Sequence, residues 1–107
     1  MEEYLKVLTE RIIECITLCI PEDKMPSVEN LMNRHVSELS QSIENIVTEE
    51  LLLTKFSRFI NKVLSTVEAV GLSQSQWRAV RKLLLQEIYG CQELILKTIQ
   101  EEKNAKK

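Results

Sequence analysis

Glycine and proline are nearly missing from this chain of 107 residues, with two of each. Strand-rich folds of this size need many glycine, asparagine and aspartate turns, so their scarcity excludes a sandwich or barrel and leaves an all-helical chain. No apolar run approaches the roughly 20 residues that span a bilayer, so no membrane segment is expected. The opening Met1-Glu2-Glu3-Tyr4 has no basic n-region of a secretory signal. The three cysteines are odd in number and lack the spacing of a disulfide scaffold; with the missing signal, this makes a reducing cytoplasm the expected location. His35 is the single histidine, and no glycine-rich phosphate cradle is present.

What is present is enough for one packed domain. Apolar residues make up 44% and charged residues 28%, which excludes long-range disorder. The periodicity predicts a compact bundle of four helices over about 2–20, 27–47, 49–70 and 74–99, forming a single domain 1–99 with a polar tail at 100–107. Leu5, Leu8, Ile12, Cys15, Ile16 and Cys19 recur at three- and four-residue steps on the first helix, which Pro21 stops. Met32, Val36, Leu39, Ile43 and Ile46 form the narrow seam of a bundle helix starting near Pro26 or Ser27. A break is expected near Thr48, which is placed to cap a third helix with Glu49 and Glu50 in its first turn. Gly71 ends that helix, and Ser73-Gln-Ser-Gln76 forms a capping box at the start of the fourth.

Charge is divided unevenly along the chain. Residues 1–53 hold eleven acids and four bases, whereas residues 54–107 hold ten bases and five acids, a contrast hidden by the net charge of −2. Lys55, Arg58 and Lys62 share one face of the third helix, and Arg78, Arg81 and Lys82 share one face of the fourth. With Gly71 turning the chain between them, the two triplets are candidates for one anion or partner site. The fourth helix's start at Ser73 and Gln76, with Arg78 and Lys82 one and two turns on, is a separate anion candidate whose plain alternative is an ordinary capped helix start. The plain alternative is a solvated basic face neutralised by the acidic half, within one chain or between subunits.

The fourth helix is apolar on more than one side. Trp77, Val80, Leu84, Ile88, Cys91 and Ile95 make its core stripe, while Leu85, Tyr89 and Leu96 fall about 100° away and Leu83 and Leu94 lie on the opposite flank. The first helix shows a weaker surplus at Tyr4, Val7 and Leu18. Gly90 costs about 1 kcal/mol against alanine inside a helix, and a kink or a close approach of another backbone accounts for it. Leu85, Tyr89, Gly90 and Leu96 are therefore the candidates for self-association, and a homo-oligomer is expected. A central helix wrapped by its own neighbours is the alternative.

The segment from Val67 to Val80 has a glycine turn, Leu72-Ser73 and a new helix exposing Gln74, Ser75, Gln76 and Arg78. It resembles the turn and recognition-helix start of bacterial helix-turn-helix repressors, which implies base-edge contacts by those side chains. It departs from that motif at Val67, where a small residue is preferred, and at Trp77, and the sequence pI of about 5.5 is unlike a free-standing DNA binder. Cys15 and Cys19 are one turn apart but belong to the core stripe, so no metal and no cofactor are expected. No nucleophile–base pair is present, and no enzyme activity is expected. The sequence favours a small non-enzymatic binding or regulatory protein, an adaptor or inhibitor acting through self-association and a basic partner face. The rival is a nucleic-acid or nucleotide-binding protein that uses the bases on either side of Gly71.

Overall fold

A computed structural model of the chain describes residues 2–44 and 48–105. Four helices follow one another: α1 (Glu2–Thr17), α2 (Met25–Ile43), α3 (Glu49–Glu68) and α4 (Gln74–Ala105). Each packs on two others in a ring, α1 with α2 and α4, and α3 with α2 and α4. The short connections make sequential neighbours antiparallel. Cross-helix contacts agree, with His35 and Glu38 of α2 meeting Thr66 and Lys62 of α3, and Glu49 of α3 meeting Gln100 of α4. The molecule is a rod of 51 × 23 × 19 Å.

The expected stripes are the core. Leu8, Ile12 and Ile16 from α1, Met32 and Ile43 from α2, Leu52, Phe56 and Val63 from α3, and Leu84, Ile88 and Ile95 from α4 are almost fully buried. The Phe56 and Phe59 rings meet edge-on, 6.3 Å apart at 76°. Ile46, expected on the α2 seam, lies outside the described residues.

Helix ends differ from expectation in five places, one of them the end of the second helix, which stops at Ile43 with Glu44 as its cap where 47 was expected, residues 45–47 lying outside the described residues. The first helix stops at Thr17, not Ile20: Cys19 bonds the Ile16 carbonyl in a tighter three-residue turn, Ile20 makes the last four-residue bond to the same carbonyl, and Pro21 has no N–H to continue. That turn still buries Ile20 and swings Leu18 outward. The second helix begins at Met25 with Pro26 in its first turn, so Ser27 is inside the helix and its cap position, Lys24, contributes no side-chain bond. The third ends at Glu68, two residues early, and Gly71 then turns the chain with φ of +84°. The fourth runs on to Ala105, six residues beyond Ile99, so 100–105 are helical instead of a frayed tail. Gln100 is held there by its amide, which donates to the Glu49 carboxylate at 2.9 Å.

Two caps are as expected. Thr48 stands extended before α3 and its hydroxyl accepts from the Leu51 N–H. In the capping box, the Ser73 hydroxyl accepts from the Gln76 N–H and the Gln76 side chain accepts from the Ser73 N–H, each at 3.3 Å. The Gly71 turn is also tied to the α1–α2 connection, since Lys24 Nζ donates to the Val70 carbonyl at 3.2 Å.

Candidate functional site

A groove of about 420 Å³ runs along the α2–α3 seam. It exists because α2 is a narrow-seam helix: Val36 and Leu39 reach the core while the flanking Gln41 and Ser42 stay at the rim. Its floor is Leu39 and Phe59, both buried. One wall carries Lys55, Arg58 and Lys62 from α3, and the other His35 and Glu38 from α2. The first basic triplet of the sequence thus lines one concave surface, as its spacing requires.

Lys62 is not free in that surface. Its ammonium meets the Glu38 carboxylate at 2.7 Å, the one ion pair among the described residues. The Lys62 contact, first as a hydrogen-bond donor, holds the Glu38 carboxyl below its ordinary value. Lys55 and Arg58 have no such partner among the described residues. Neutralisation by the acidic half of the same chain therefore reaches one of these three bases.

His35 sets the far end of the groove. The Thr66 hydroxyl donates to the Lys62 carbonyl at 2.8 Å, so its oxygen must accept from His35 Nε2–H, also at 2.8 Å. That bond fixes the tautomer and leaves Nδ1 bare, buried and without a partner. Burial pushes the imidazole below its ordinary value; Lys62 and Arg34 add to this and Glu38 opposes it. His35 is a neutral bridge between α2 and α3, a role its lone place beside the seam residue Val36 did not reveal.

The second triplet sits elsewhere. Arg78, Arg81 and Lys82 occupy the first turns of α4, exposed, alongside the last turns of α3. Helix α4 packs on the flank of α3 away from α2, so these bases do not line the α2–α3 groove. The two triplets do not form one concave site. Ser73 and Gln76 are occupied with each other in the capping box. Trp77 is half-buried over a small crevice with Glu68, Leu72 and Gln74. Helices α3 and α4 lie side by side along their length, unlike the steeply crossed pair of a helix-turn-helix.

The surplus apolar residues of α4 divide between two flanks. Leu85 and Leu96 are half-buried and pack against the core, while Tyr89 beside them stays 49% exposed. The opposite flank is the more open one. There Leu83, Gly90 and Leu94 are exposed, the last two next to Val7 of α1. Gly90, Leu94 and Val7, with Tyr4, Leu8, Arg11, Glu87 and Cys91, border a second groove of about 400 Å³ along the α1–α4 seam. A Cβ added at Gly90 would meet nothing within 4 Å, so no backbone of the same chain accounts for this glycine. Sequence spacing placed Leu83 and Leu94 on this flank but did not show that α1 adds Val7 to it.

The cysteines have the character of core residues. Cys91 is buried, its thiol facing the Tyr4 carbonyl at 3.7 Å, and burial pushes its pKa up to about 11. Burial, followed by Glu87 and Glu14, raises that of Cys15. No cluster of three metal-ligating side chains occurs among the described residues. No helix among them is long and apolar enough to cross a membrane.

These features define a class: an all-α, antiparallel four-helix bundle with a charged groove on one seam and an apolar groove on the opposite one. Comparison with protein-family models, with curated proteins and with solved structures finds no match. The functional reading rests on the residues themselves, since bundles of this kind serve many functions.

Proposed function

We propose that this chain is a non-enzymatic binding and regulatory protein, an adaptor or inhibitor that takes an acidic protein segment on its α2–α3 groove and self-associates on its α1–α4 side. One observation carries the partner reading: Lys55 and Arg58, which form no ion pair among the described residues, stand over the apolar floor of Leu39 and Phe59. Free cations beside buried-type apolar surface suit an amphipathic acidic peptide, whose carboxylates meet the bases while its apolar side chains enter the floor. The Glu38 carboxylate on the other wall and the separation of the two triplets argue against a continuous phosphate track. The nucleic-acid or nucleotide reading, using Lys55, Arg58, Lys62, Arg78, Arg81 and Lys82, is the rival.

Titration separates the two. The probes are a fluorescent peptide alternating Glu with Leu and Phe, and a single-stranded oligonucleotide, each followed across salt. The expected result is peptide binding that Arg58→Glu with Lys55→Glu weakens by roughly tenfold or more, while reversal of Arg78 and Arg81 leaves it unchanged. Oligonucleotide binding that falls steeply with salt and needs both triplets would replace this reading with the rival. Binding to neither probe would remove the groove as an anionic-partner site.

A further inference from the structure

Of the eight large apolar residues that stand exposed among the described residues, four lie on the α1–α4 face: Val7 and Leu94 at 51%, Leu18 at 76% and Leu83 at 38%. Their arrangement is regular. On α1 and just past its end, Val7, Arg11, Glu14 and Leu18 step by four, three and four residues. On α4, Leu83, Glu87, Gly90 and Leu94 do the same. Both spacings trace one stripe of a helix. Because α1 and α4 are antiparallel, Val7 comes level with Gly90 and Leu94, Arg11 with Glu87, and Leu18 with the turn before Leu83. The α1–α4 face is therefore apolar at both ends, with Arg11 and Glu14 of α1 and Glu87 of α4 across its middle. Arg11 and Glu87 both border the groove, yet form no ion pair with each other.

We infer that this face is closed by a second copy of the chain, related by a two-fold axis running along the bundle, so that Arg11 of each copy meets Glu87 of the other. The inference rests on the self-association proposed above and specifies its surface and symmetry. Charge selects the axis. A two-fold along the bundle lays α1 of one copy over α4 of the other at equal height. Val7 then meets Gly90 and Leu94, Leu18 comes within a turn of Leu83, and the Arg11 and Glu87 charges of the two copies alternate in sign. A two-fold across the bundle would instead set Arg11 on Arg11 and Glu87 on Glu87, which like-charge repulsion disfavours. Glu14 comes level with Leu83 and Lys82 of the second copy. Gly90, with open space where a side chain would stand, lets the facing α1 approach. The 16 residues of α1 rise about 24 Å and two helices are about 20 Å across, so the face offers about 500 Å² per copy. That is near the lower end of specific interfaces, and association is expected only at micromolar concentrations and above.

Sedimentation velocity on the full chain from about 1 to about 500 µM tests this, with Arg11→Glu, Glu87→Arg and an equimolar mixture of the two variants. Wild type is expected to dimerise, each variant alone to associate roughly tenfold or more less tightly, and the mixture to recover a dimer containing one copy of each. Recovery is the decisive arm. In the mixed pair the carboxylate introduced by R11E meets the guanidinium introduced by E87R at one junction. At the other, native Arg11 meets native Glu87. A purely intramolecular role for these side chains gives no recovery on mixing, and that result would overturn the inference. A wild-type dimer indifferent to both charge reversals would also overturn it while leaving self-association standing. A wild type that stays monomeric throughout would remove both, and leave the face to a different partner. Circular dichroism of each variant confirms that the bundle is intact.

Discussion

The α2–α3 and α1–α4 seams are built on opposite plans. The first is tied by polar groups: the His35–Thr66 bond and the Lys62–Glu38 pair bridge it, and charge collects at its rim. The second is tied weakly, by the Cys91 thiol on the Tyr4 carbonyl and by a 3.4 Å contact between Thr98 and the Tyr4 hydroxyl, and apolar side chains collect at its rim. A polar-bridged seam can leave uncommitted bases over an apolar floor, which is how a charged partner is held. A plain apolar seam with exposed valine and leucine lowers its free energy only when more apolar surface covers it.

The largest expected effect tests the first half of that contrast. Phe59 is 3% exposed, floors the α2–α3 groove and packs edge-on against Phe56. Phe59→Ala should cost about 3–5 kcal/mol in chemical denaturation, through lost burial and the cavity left behind. Val7→Ala, on the outside of the α1–α4 seam, should change monomer stability by less than about 0.5 kcal/mol. Equal costs for the two would mean that Val7 belongs to the core and would dissolve the contrast.

The two glycines give the next effect, with opposite signs. Gly71 holds φ of +84°, a conformation alanine reaches only with strain, so Gly71→Ala should destabilise by about 1–2 kcal/mol. Gly90 is inside a helix with nothing within 4 Å of an added Cβ. Measured at concentrations too low for self-association, Gly90→Ala should stabilise by about 0.5–1 kcal/mol. A destabilised Gly90→Ala monomer would show that something in the same chain fills that space.

Much of this architecture was legible in the residues. The stripes on all four helices, the Gly71 turn and the Ser73–Gln76 cap follow from spacing and local chemistry, which act within a few residues. Helix ends were less legible. Thr17 ends α1 early because the last turn tightens, with Cys19 bonding three residues back to Ile16, ahead of Pro21, which has no N–H to carry the ladder on; apolar periodicity does not register this. Helix α4 outlasts its apolar pattern because Gln100 finds Glu49, a partner 51 positions away. The candidate surfaces show the same division. Lys55, Arg58 and Lys62 are collected by one helix face, and spacing groups them correctly. Whether Arg78 and Arg81 join them depends on which flank of α3 receives α4. That is a matter of packing order, invisible in either helix alone.

The smallest expected effect belongs to His35, and it distinguishes the seams by pH. Burial lowers its pKa from an ordinary value of 6.5, so the folded chain binds this proton less readily than the unfolded one. Its contribution to stability is complete above the unfolded value and is lost as pH falls from there through the folded value. The groups facing it are Glu38, Lys62 and Arg34, with Thr66 across the seam. Glu38, itself held below its ordinary value of 4.5, titrates further into the acid and leaves the window just below 6.5 to the imidazole. Thermal unfolding of wild type should therefore soften as pH is lowered from about 7 through that window. His35→Gln, which keeps an amide donor for Thr66, should be flat there. Protonation would put a second donor at Nδ1, where no acceptor waits. Because α2 and α3 meet through this ring, the loss should appear first as faster exchange of backbone amides along the α2–α3 seam, with α1–α4 unaffected. An equal pH slope in His35→Gln would place the sensitive group elsewhere and remove the claim that the polar-bridged seam is the titrating one.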